Sequence, residues 1–434
     1  MKEVAAVSGP VRTFKDLWPF IRSELKPKGK PLTLFNVISL PIILLGGVLI
    51  LYRLARGLGA VTNLSQEFPW GIWIGFDVMV GVAFAGGAYL LTFVVYILRT
   101  EKYHPVVRAT VLNGLLAYMF YAGAILLDLG RWWNIVNPII GNKFGVNSVL
   151  FLVSWHFLLY MISLFIEFSP VIAEWLGLKR IRKIVGGLTL GAVIFGIALS
   201  TLHQSGLGAL FLMARDKIHP LWYTEFIPVL FFVSSIFAGL SMVIFEGTIS
   251  HKVFGAQLDH GDHERFNEIL YGLGKACAGA LFVYFFMKVL LMIHDRHWAL
   301  LATPMGTWYL IEVIGFVALP CVLFIRGVRY RDTMVIRVAA VLTMLGIIIN
   351  RLNYSIIAYK WYVPLSQRYL PSWMEVVITL AIIFTEVWVF RWVVNRMPVL
   401  RKSPEWVSEV VAEEAAVGSV AIGKEVPKWK VSAM

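Results

Sequence analysis

The sequence predicts an all-α polytopic membrane protein, and three observations support this fold class. Hydrophobic residues make up 59% of the 434 positions, and charged residues only 15%. A soluble domain averages about 45–50% apolar and about 25% charged residues. The apolar residues form long unbroken runs, and a membrane-spanning helix needs roughly 20 of them. The apolar and charged fractions exclude an ordinary soluble enzyme. The aromatic content of 14% excludes a disordered chain.

Ten segments are long and apolar enough to cross a bilayer. They lie at approximately 33–58, 70–98, 106–128, 147–173, 183–203, 222–249, 267–294, 306–326, 333–354 and 372–396. Lysine and arginine are concentrated before the first segment, in the even-numbered connections and after the last segment. The positive-inside rule assigns such regions to the cytoplasm. We therefore expect a multi-pass protein of the bacterial inner membrane with both termini in the cytoplasm. These basic regions account for the net charge of +13 without nucleic acid as a partner.

Short matches between segments four spans apart predict an internal repeat. The matching pairs are residues 200–205 with 350–355, residues 126–132 with 293–298, and Pro69-Trp70 and Ala85-Gly86 with residues 220–222 and 238–239. Because four is an even number of spans, both copies point the same way, which indicates two parallel four-helix bundles flanked by the first and last helices.

The repeat divides the chain into six predicted regions. They are a cytoplasmic N-terminal segment at 1–32, a flanking first helix with a periplasmic loop at 33–69, a first four-helix bundle with the site at 70–205, a second four-helix bundle at 206–356, a flanking tenth helix at 357–396 and a cytoplasmic polar tail at 397–434.

Ionisable residues within the spans identify candidate sites, because a charge in hydrocarbon is costly and usually faces the interior of a bundle. The candidates in the outer half of the first bundle are Asp77, His156, His203, Gln204, Asp128 and Arg131. A quinone takes up two electrons and two protons, so its site needs apolar walls, a hydrogen-bond donor and titratable groups. We assign Asp77 and His203 to these roles. Alternatively, His203 and Gln204 cap the fifth span, and Asp128 and Arg131 form an interfacial ion pair.

A second set of charged residues has two interpretations. The set comprises Glu167, Glu246, Lys275, Lys288, Glu312 and Glu386. Chains of such groups form proton pathways in membrane proteins, here from the cytoplasm. They also form internal ion pairs that fix helix packing, for example between Lys288 and Glu312. The sequence leaves both interpretations open.

The sequence predicts no haem, iron–sulfur cluster or metal site in this chain. The only cysteines, Cys277 and Cys321, are far apart, so the ligands of a cluster are missing. A membrane haem b usually takes two histidines from different helices at one depth, and only His156 lies well inside a predicted span. The loop at 260–263 carries two histidines and an aspartate that could bind a metal, but its composition is also typical of a solvated turn.

Several stretches resemble a known family. They are residues 202–208 (LHQSGLG) with 219–223 (HPLWY), residues 231–246, and the pair Pro69-Trp70-Gly71 and Gly75-Phe76-Asp77. These stretches are similar to the NrfD/PsrC family of integral membrane subunits, and within it to the HybB-like branch of hydrogenase and quinone reductase subunits. The resemblance covers roughly residues 33–396. Asp77, His203 and Gln204 match the family best, His156 matches less closely, and the tail after residue 396 has no counterpart.

The resemblance implies a subunit without haem or cluster that works in an anaerobic respiratory oxidoreductase complex. It would exchange electrons with a periplasmic iron–sulfur (ferredoxin-like) subunit and bind menaquinone near that face. Further partners would be hydrogenase, molybdopterin-type or multihaem cytochrome subunits, and some such complexes translocate protons. Lacking a redox centre, the chain would not be an enzyme by itself. Two other classes stay open: a secondary transporter, for which parallel repeats and buried charges are also typical, and a membrane anchor or proton-conducting subunit without its own quinone site.

Overall fold

The structure is a computed structural model of the chain. It describes residues 14–26, 28, 32–140, 145, 147–258, 261–401, 403–404 and 406–408. Ten helices in this part are long and apolar enough to span a membrane, which confirms the predicted all-α polytopic class. Most of the predicted N-terminal segment and polar tail lie outside the described residues, as does His260 of the histidine-containing loop.

The ten spans alternate in direction across the membrane. They are Leu34–Arg56, Trp73–Ile97, Glu101–Asp128, Val149–Leu176, Lys179–Ala214, Ile227–Val253, Asp262–Asp295, Pro304–Arg329, Thr333–Ile357 and Trp373–Arg396, numbered 1 to 10 in this order. Leu34 and Arg396 therefore lie on one face. We refer to the face where the odd-numbered spans begin and the even-numbered spans end as the terminal face, and to the opposite one as the distal face.

Side-chain caps fix the beginning of several spans. At the start of span 10, Ser372 Oγ accepts a hydrogen bond from the Glu375 N–H, and the Glu375 side chain accepts one from the Ser372 N–H. This reciprocal pair satisfies two of the backbone donors that a helix start leaves open. Span 9 begins after Asp332, which caps two N–H groups. Span 4 ends at Gly177, whose φ of +71° closes the helix in the left-handed conformation that glycine adopts most easily.

Span 5 differs from its predicted extent. The predicted end was residue 203, yet the helix continues to Leu210 and a final 3₁₀ turn ends at Ala214. Two glycines in this extension serve close packing. A Cβ on Gly206 would lie 2.7 Å from Val153 Cγ2, and one on Gly208 would lie 2.8 Å from Pro228 Cα. His203 therefore lies well inside the span rather than at its end.

The spans pack as two rings of four. Span 2 contacts span 3, span 3 contacts span 4, span 4 contacts span 5, and span 5 contacts span 2 again. Spans 6 to 9 make the same cycle of contacts. We refer to spans 2–5 as the first module and to spans 6–9 as the second module. Spans 1 and 10 pack on each other and against spans 2 and 3. The boundaries proposed for the six sequence regions stay a prediction.

The two modules meet where spans 2 and 6 cross. A Cβ on Gly86 would lie 2.5 Å from the Ser235 carbonyl oxygen, and one on Gly87 would lie 2.8 Å from the Gly239 carbonyl oxygen. Only glycine fits such an approach of two backbones. Gly86 and Gly239 are also matched positions of the predicted repeat, and matched positions meet where a two-fold axis passes between two copies.

Candidate functional site

The structure separates Asp77 from His203, although the sequence predicted both in one cluster. Asp77 lies on a π-helical turn of span 2, Trp73–Val78, and its side chain is buried. Thr379 Oγ1 of span 10 donates a hydrogen bond of 3.0 Å to Asp77 Oδ2. Tyr121 and Glu386 lie within electrostatic range of the same carboxyl group. Among the described residues Asp77 Oδ1 has no hydrogen-bond partner. Asp77 thus faces spans 3 and 10.

His203 lies on the other side of span 3, in the interior of the first module. Its side chain is 1% exposed. Nδ1 lies 3.1 Å from the Val153 carbonyl oxygen, so Nδ1 carries the proton in the neutral ring and Nε2 is left as an acceptor. The ring centroid lies 5.4 Å from that of Phe157 and 5.7 Å from that of Tyr118. Nε2 is buried without a partner in the described part of the chain.

Gln204 and His156 flank His203. Gln204 Nε2 donates a hydrogen bond of 2.8 Å to the Val82 carbonyl oxygen, which joins span 5 to span 2. His156 lies close enough to His203 for the two rings to interact electrostatically. Gln204 Oε1 and His156 Nδ1 are both buried, and neither has a partner among the residues that the structure describes. The alternative that His203 and Gln204 cap span 5 is wrong, because the helix continues beyond them.

Asp128 and Arg131 lie apart from these groups, at the distal end of span 3. Arg131 is exposed, and the charged neighbours of Asp128 are Arg53 and Glu375. The ion pairs found within the described ranges do not include Asp128 with Arg131. Arg53 is 1% exposed and donates from Nε to the Leu127 carbonyl oxygen at 2.8 Å. Arg53 was not among the predicted site residues, although an arginine within an apolar span was the available signal.

Two residues of the predicted proton pathway, Glu312 and Lys288, lie close together in the distal half of the second module. Glu312 accepts hydrogen bonds from Trp222 Nε1 at 2.7 Å, from Asn350 Nδ2 at 2.6 Å and from Asn353 Nδ2 at 2.5 Å. The buried Lys288 lies in its field and 5.0 Å from the centroid of the Tyr309 ring. Both positions are in the distal half of their spans, and their membership of a proton pathway stays a prediction.

Arg351 extends this network, and its role was missed from the sequence. Its guanidinium donates to Asn350 Oδ1 at 2.8 Å and to Ser234 Oγ at 2.7 Å, and it lies 3.8 Å from the centroid of the Phe231 ring. A buried arginine is tolerated when carbonyl, hydroxyl and aromatic groups replace its hydration. The distal half of the second module is therefore densely hydrogen-bonded.

The other four members of the predicted pathway are dispersed. Glu167 lies beside Gly196 inside the first module. Glu246 accepts a hydrogen bond of 2.7 Å from Ser250 Oγ near the terminal face, and Glu386 lies near Asp77, as described above. The side chain of Lys275 is exposed on span 7, so the expectation that it is buried is not met.

Two cavities lie toward opposite faces of the protein. The larger, about 820 Å³, opens at the terminal face between the modules. It is lined by the beginnings of spans 3 and 7, the end of span 6 and residues 399–401, 403–404 and 407–408, and its polar lining includes Glu101, His104, Arg108, Glu246 and His251. We refer to it as the vestibule. The smaller cavity lies at the distal end of the second module beside Lys288 and His297. Neither of them reaches Asp77 or His203.

His219 anchors the distal connection between the modules. Its N–H donates to the Ala358 carbonyl oxygen at 2.9 Å, and its Nδ1 accepts from the Leu221 N–H at 3.2 Å. Burial, together with the smaller effect of the nearby His297, lowers the pKa of His219 to about 4. The ring is therefore neutral at pH 7, which suits its contact with the Trp361 ring at 4.6 Å.

Comparison with known proteins assigns the family. Residues 60–363 match the family model described as "Polysulphide reductase, NrfD". The chain belongs to the NrfD family. The match covers most of both modules, including Asp77, His156, His203 and Gln204, so the predicted resemblance is confirmed.

Three relatives are similar to this chain over most of its length. A protein of Nitratidesulfovibrio vulgaris (strain Hildenborough) is 45% identical over 86% of this chain and 95% of its own length. The probable Ni/Fe-hydrogenase 2 b-type cytochrome subunit of Escherichia coli K12 is 30% identical over 86% of this chain and 92% of its own length. The integral membrane subunit of the menaquinone reductase of N. vulgaris is 26% identical over 76% of this chain and 83% of its own length.

The words "b-type cytochrome" imply a haem, and the described residues do not fit one beside His203. Two histidines, His156 and His203, do lie inside the first module, which corrects the expectation that only His156 does so. A porphyrin must lie directly against the ligating nitrogen. His203 Nε2 is fully covered, and Phe157 and Tyr118 enclose the ring. Within the described residues no group of three or more His, Cys, Asp or Glu side chains could hold a metal ion.

Proposed function

We propose that this NrfD-family chain is the quinone-interacting membrane subunit of a respiratory oxidoreductase complex. One observation carries the proposal: His203 Nε2, Gln204 Oε1 and His156 Nδ1 are three neighbouring buried polar atoms without partners in the described part of the chain. Buried polar atoms in proteins are nearly always hydrogen-bonded. The rings of Tyr118 and Phe157 pack against His203, and a quinone head group supplies both an apolar ring and polar oxygens to such a site.

The orientation of the complex follows from the distribution of charge. We propose that the terminal face is cytoplasmic, because lysine and arginine are concentrated there, and that the distal face is periplasmic. An iron–sulfur subunit docked on the distal face would exchange electrons with menaquinone. The names of two relatives, a hydrogenase subunit and a menaquinone reductase subunit, support an oxidoreductase complex over the alternatives of a transporter and an anchor.

The chain's own residues would handle protons and orient the ring. Reduction of a quinone to a quinol consumes two electrons, which the iron–sulfur partner supplies, and two protons. Protonated at Nε2, His203 can donate a hydrogen bond to one quinone oxygen and then transfer that proton. Gln204 Oε1 can accept a hydrogen bond from the resulting quinol. Asp77, across span 3, is the second titratable group that we assign to proton exchange. Because Phe157 covers His203, binding requires this ring to rotate.

Substitution in the assembled complex tests the site. We expect His203→Ala and Asp77→Asn to lower menaquinone turnover by roughly 100-fold, the lower range of a lost general acid–base group. The matched controls are His294→Ala, whose side chain is 75% exposed, and Asp216→Asn at an exposed distal position. Both controls should keep full activity. Full turnover in His203→Ala and Asp77→Asn would refute the site.

Co-purification tests the class of protein. A respiratory subunit should be isolated with iron–sulfur partners, and binding of 2-heptyl-4-hydroxyquinoline N-oxide, a fluorescent quinone analogue, should be weakened by His203→Ala. Isolation of the chain alone, with solute exchange in vesicles and without binding of this analogue, would instead show a transporter.

A further inference from the structure

The second module keeps the basic residue of an ion pair that the first module contains. In the first module Arg108 of span 3 donates to the buried Glu174 of span 4 at 2.7 and 3.0 Å. Spans 3 and 7 end at Asp128 and Asp295, which are matched positions of the repeat. Twenty residues before these two aspartates stand Arg108 and Lys275. Lys275 is therefore the counterpart of Arg108 in the second module.

The acidic residue of the pair has no counterpart. Spans 4 and 8 both contain a proline, Pro170 and Pro320, that is followed seven residues later by a glycine. Four residues after the proline, span 4 has Glu174 and span 8 has Phe324, whose side chain is 0% exposed. Among the described residues Lys275 makes no ion pair. Its counter-charge must therefore come from outside the described chain.

Lys275 lies at the edge of the hydrocarbon region, with its side chain exposed. Residues 276–293, which follow it on span 7, are apolar with Lys288 as the only charged residue. At 1.5 Å per residue this run is about 27 Å long, close to the hydrocarbon thickness of about 30 Å. A lysine at this depth extends its amine toward the headgroups. Because span 7 begins at the terminal face, Lys275 lies in the leaflet on that side.

A second cation lies one turn closer to the terminal face. Arg331, in the turn between spans 8 and 9, holds its guanidinium 4.9 Å from the centroid of the Tyr271 ring. Tyr271 OH donates a hydrogen bond of 2.7 Å to the Arg331 carbonyl oxygen. Tyr271 precedes Lys275 by four residues, so the two share one face of span 7, about 6 Å apart along the helix axis. The guanidinium is therefore positioned above Lys275.

Span 8 contributes a third cation to the same side. A Cβ on Gly274 would lie 3.2 Å from Val328 Cγ2, so these two positions face each other across the contact between spans 7 and 8. Lys275 and Arg329 each follow their facing residue by one position, and both are exposed. One residue turns a helix by about 100°. Because the two helices are antiparallel, this step turns both side chains toward the same side.

Below the three cations the groove between spans 7 and 8 is apolar and open to lipid. The side chains of Phe282, Val322 and Ile325 are 61%, 60% and 52% exposed. The acidic residues beside the cations already have partners: Glu268 pairs with Arg331, and Asp332 caps two N–H groups of span 9. Positive charge at the headgroup level above exposed apolar side chains matches the two parts of an anionic phospholipid.

We propose that Lys275, Arg329 and Arg331 bind the phosphodiester of an anionic phospholipid in the leaflet on the terminal side, with its acyl chains in the groove between spans 7 and 8. Basic pockets between membrane-spanning helices bind such headgroups. The lipid phosphate supplies to Lys275 the counter-charge that Glu174 supplies to Arg108. This site is independent of the proposed quinone function.

Photo-crosslinking to the purified full-length protein tests the site. Phosphatidylglycerol that carries a diazirine in one acyl chain is added to the delipidated protein in micelles of an uncharged detergent, and mass spectrometry of peptides locates the crosslinks. We expect crosslinks on the segments around Phe282 and Val322. Unlabelled phosphatidylglycerol should compete with the probe, whereas an excess of phosphatidylcholine or of inorganic phosphate should not.

Substitutions measure the contribution of the cations. Lys275→Gln should raise the concentration of phosphatidylglycerol needed for half-maximal competition about fivefold, the effect of one basic residue beside anionic lipid. Combining it with Arg329→Gln should raise this concentration roughly 20-fold or more, and Lys275→Arg should leave it near the wild-type value. The matched control is Lys252→Gln, at an exposed lysine near the terminal end of span 6, which should change nothing. Unchanged crosslinks on other spans show that the variants are folded.

Three results would overturn the inference. Competition by inorganic phosphate would show a site for a soluble anion instead of a lipid. Equal competition by phosphatidylglycerol and phosphatidylcholine would show that the groove does not select charge. A wild-type value in the double variant of Lys275 and Arg329 would show that these cations do not bind the lipid. Each of these results leaves the quinone function standing, because menaquinone turnover tests that function separately.

Discussion

Glu174 fixes the terminal end of the first module, and its removal should be costly. Its carboxylate accepts from Arg108 at 2.7 and 3.0 Å and from Arg182 Nε at 2.9 Å, and its side chain is 0% exposed. Glu174→Gln leaves the guanidinium groups of Arg108 and Arg182, whose side chains are 21% and 10% exposed, without a counter-charge. Breaking a buried ion pair in this way costs about 3–5 kcal/mol. We expect this loss in the free energy of unfolding.

A matched exposed pair supplies the control. Glu268 pairs with Arg331 on the same face, but their side chains are 55% and 63% exposed, and surface pairs contribute only about 0–1 kcal/mol. Unfolding of both variants in mixed micelles, monitored by tryptophan fluorescence, measures the free energy of unfolding. This value should be far below that of wild type for Glu174→Gln and close to it for Glu268→Gln. Equal effects of the two substitutions would refute the reasoning that burial determines the strength of these pairs.

Further predictions concern packing, pH and the second module. Gly196→Ala should lower the free energy of unfolding by about 1–3 kcal/mol through overpacking. Gly191→Ala, with open space around its Cβ, should raise it by up to about 1 kcal/mol. Unfolding in micelles measures both values. Because burial lowers the pKa of His219 to about 4 from 6.5, folding favours the neutral ring. Stability present above pH 6.5 should fall as the pH approaches 4, and thermal unfolding of His219→Asn should lack this dependence. Glu312→Ala should lower the free energy of unfolding by about 3 kcal/mol or more, because three buried donors lose their acceptor. A Tm like that of wild type would contradict this.

The sequence predicted the membrane architecture well for a physical reason. A span of about 20 apolar residues is a strong one-dimensional signal, and all ten predicted spans correspond to helices. Helix ends were predicted less well. The fifth span was predicted to end at residue 203, but the helix continues to Leu210, with Gly206 and Gly208 packed closely within it.

The sequence was less informative about the site, because depth along a helix does not define the direction in which a side chain points. Asp77 and His203 were predicted together by depth, yet they face opposite sides of span 3. The same limit applied to Lys275, whose side chain is exposed. The buried hydroxyls of Tyr118 and Tyr160 could not be singled out from the sequence, because buried tyrosines are common and only three-dimensional contacts show which hydroxyls lack a partner among the described residues.

The glycine crossing of spans 2 and 6 restricts how this protein can work. A backbone that touches its neighbour through Gly86, Gly87 and Gly239 has no intervening side chains that could rearrange to let the halves tilt. Rocking of one half against the other, as carriers of solutes do in alternating access, would force main chain into main chain. The two modules are therefore held fixed against each other at this crossing, which disfavours any mechanism that depends on their relative rotation.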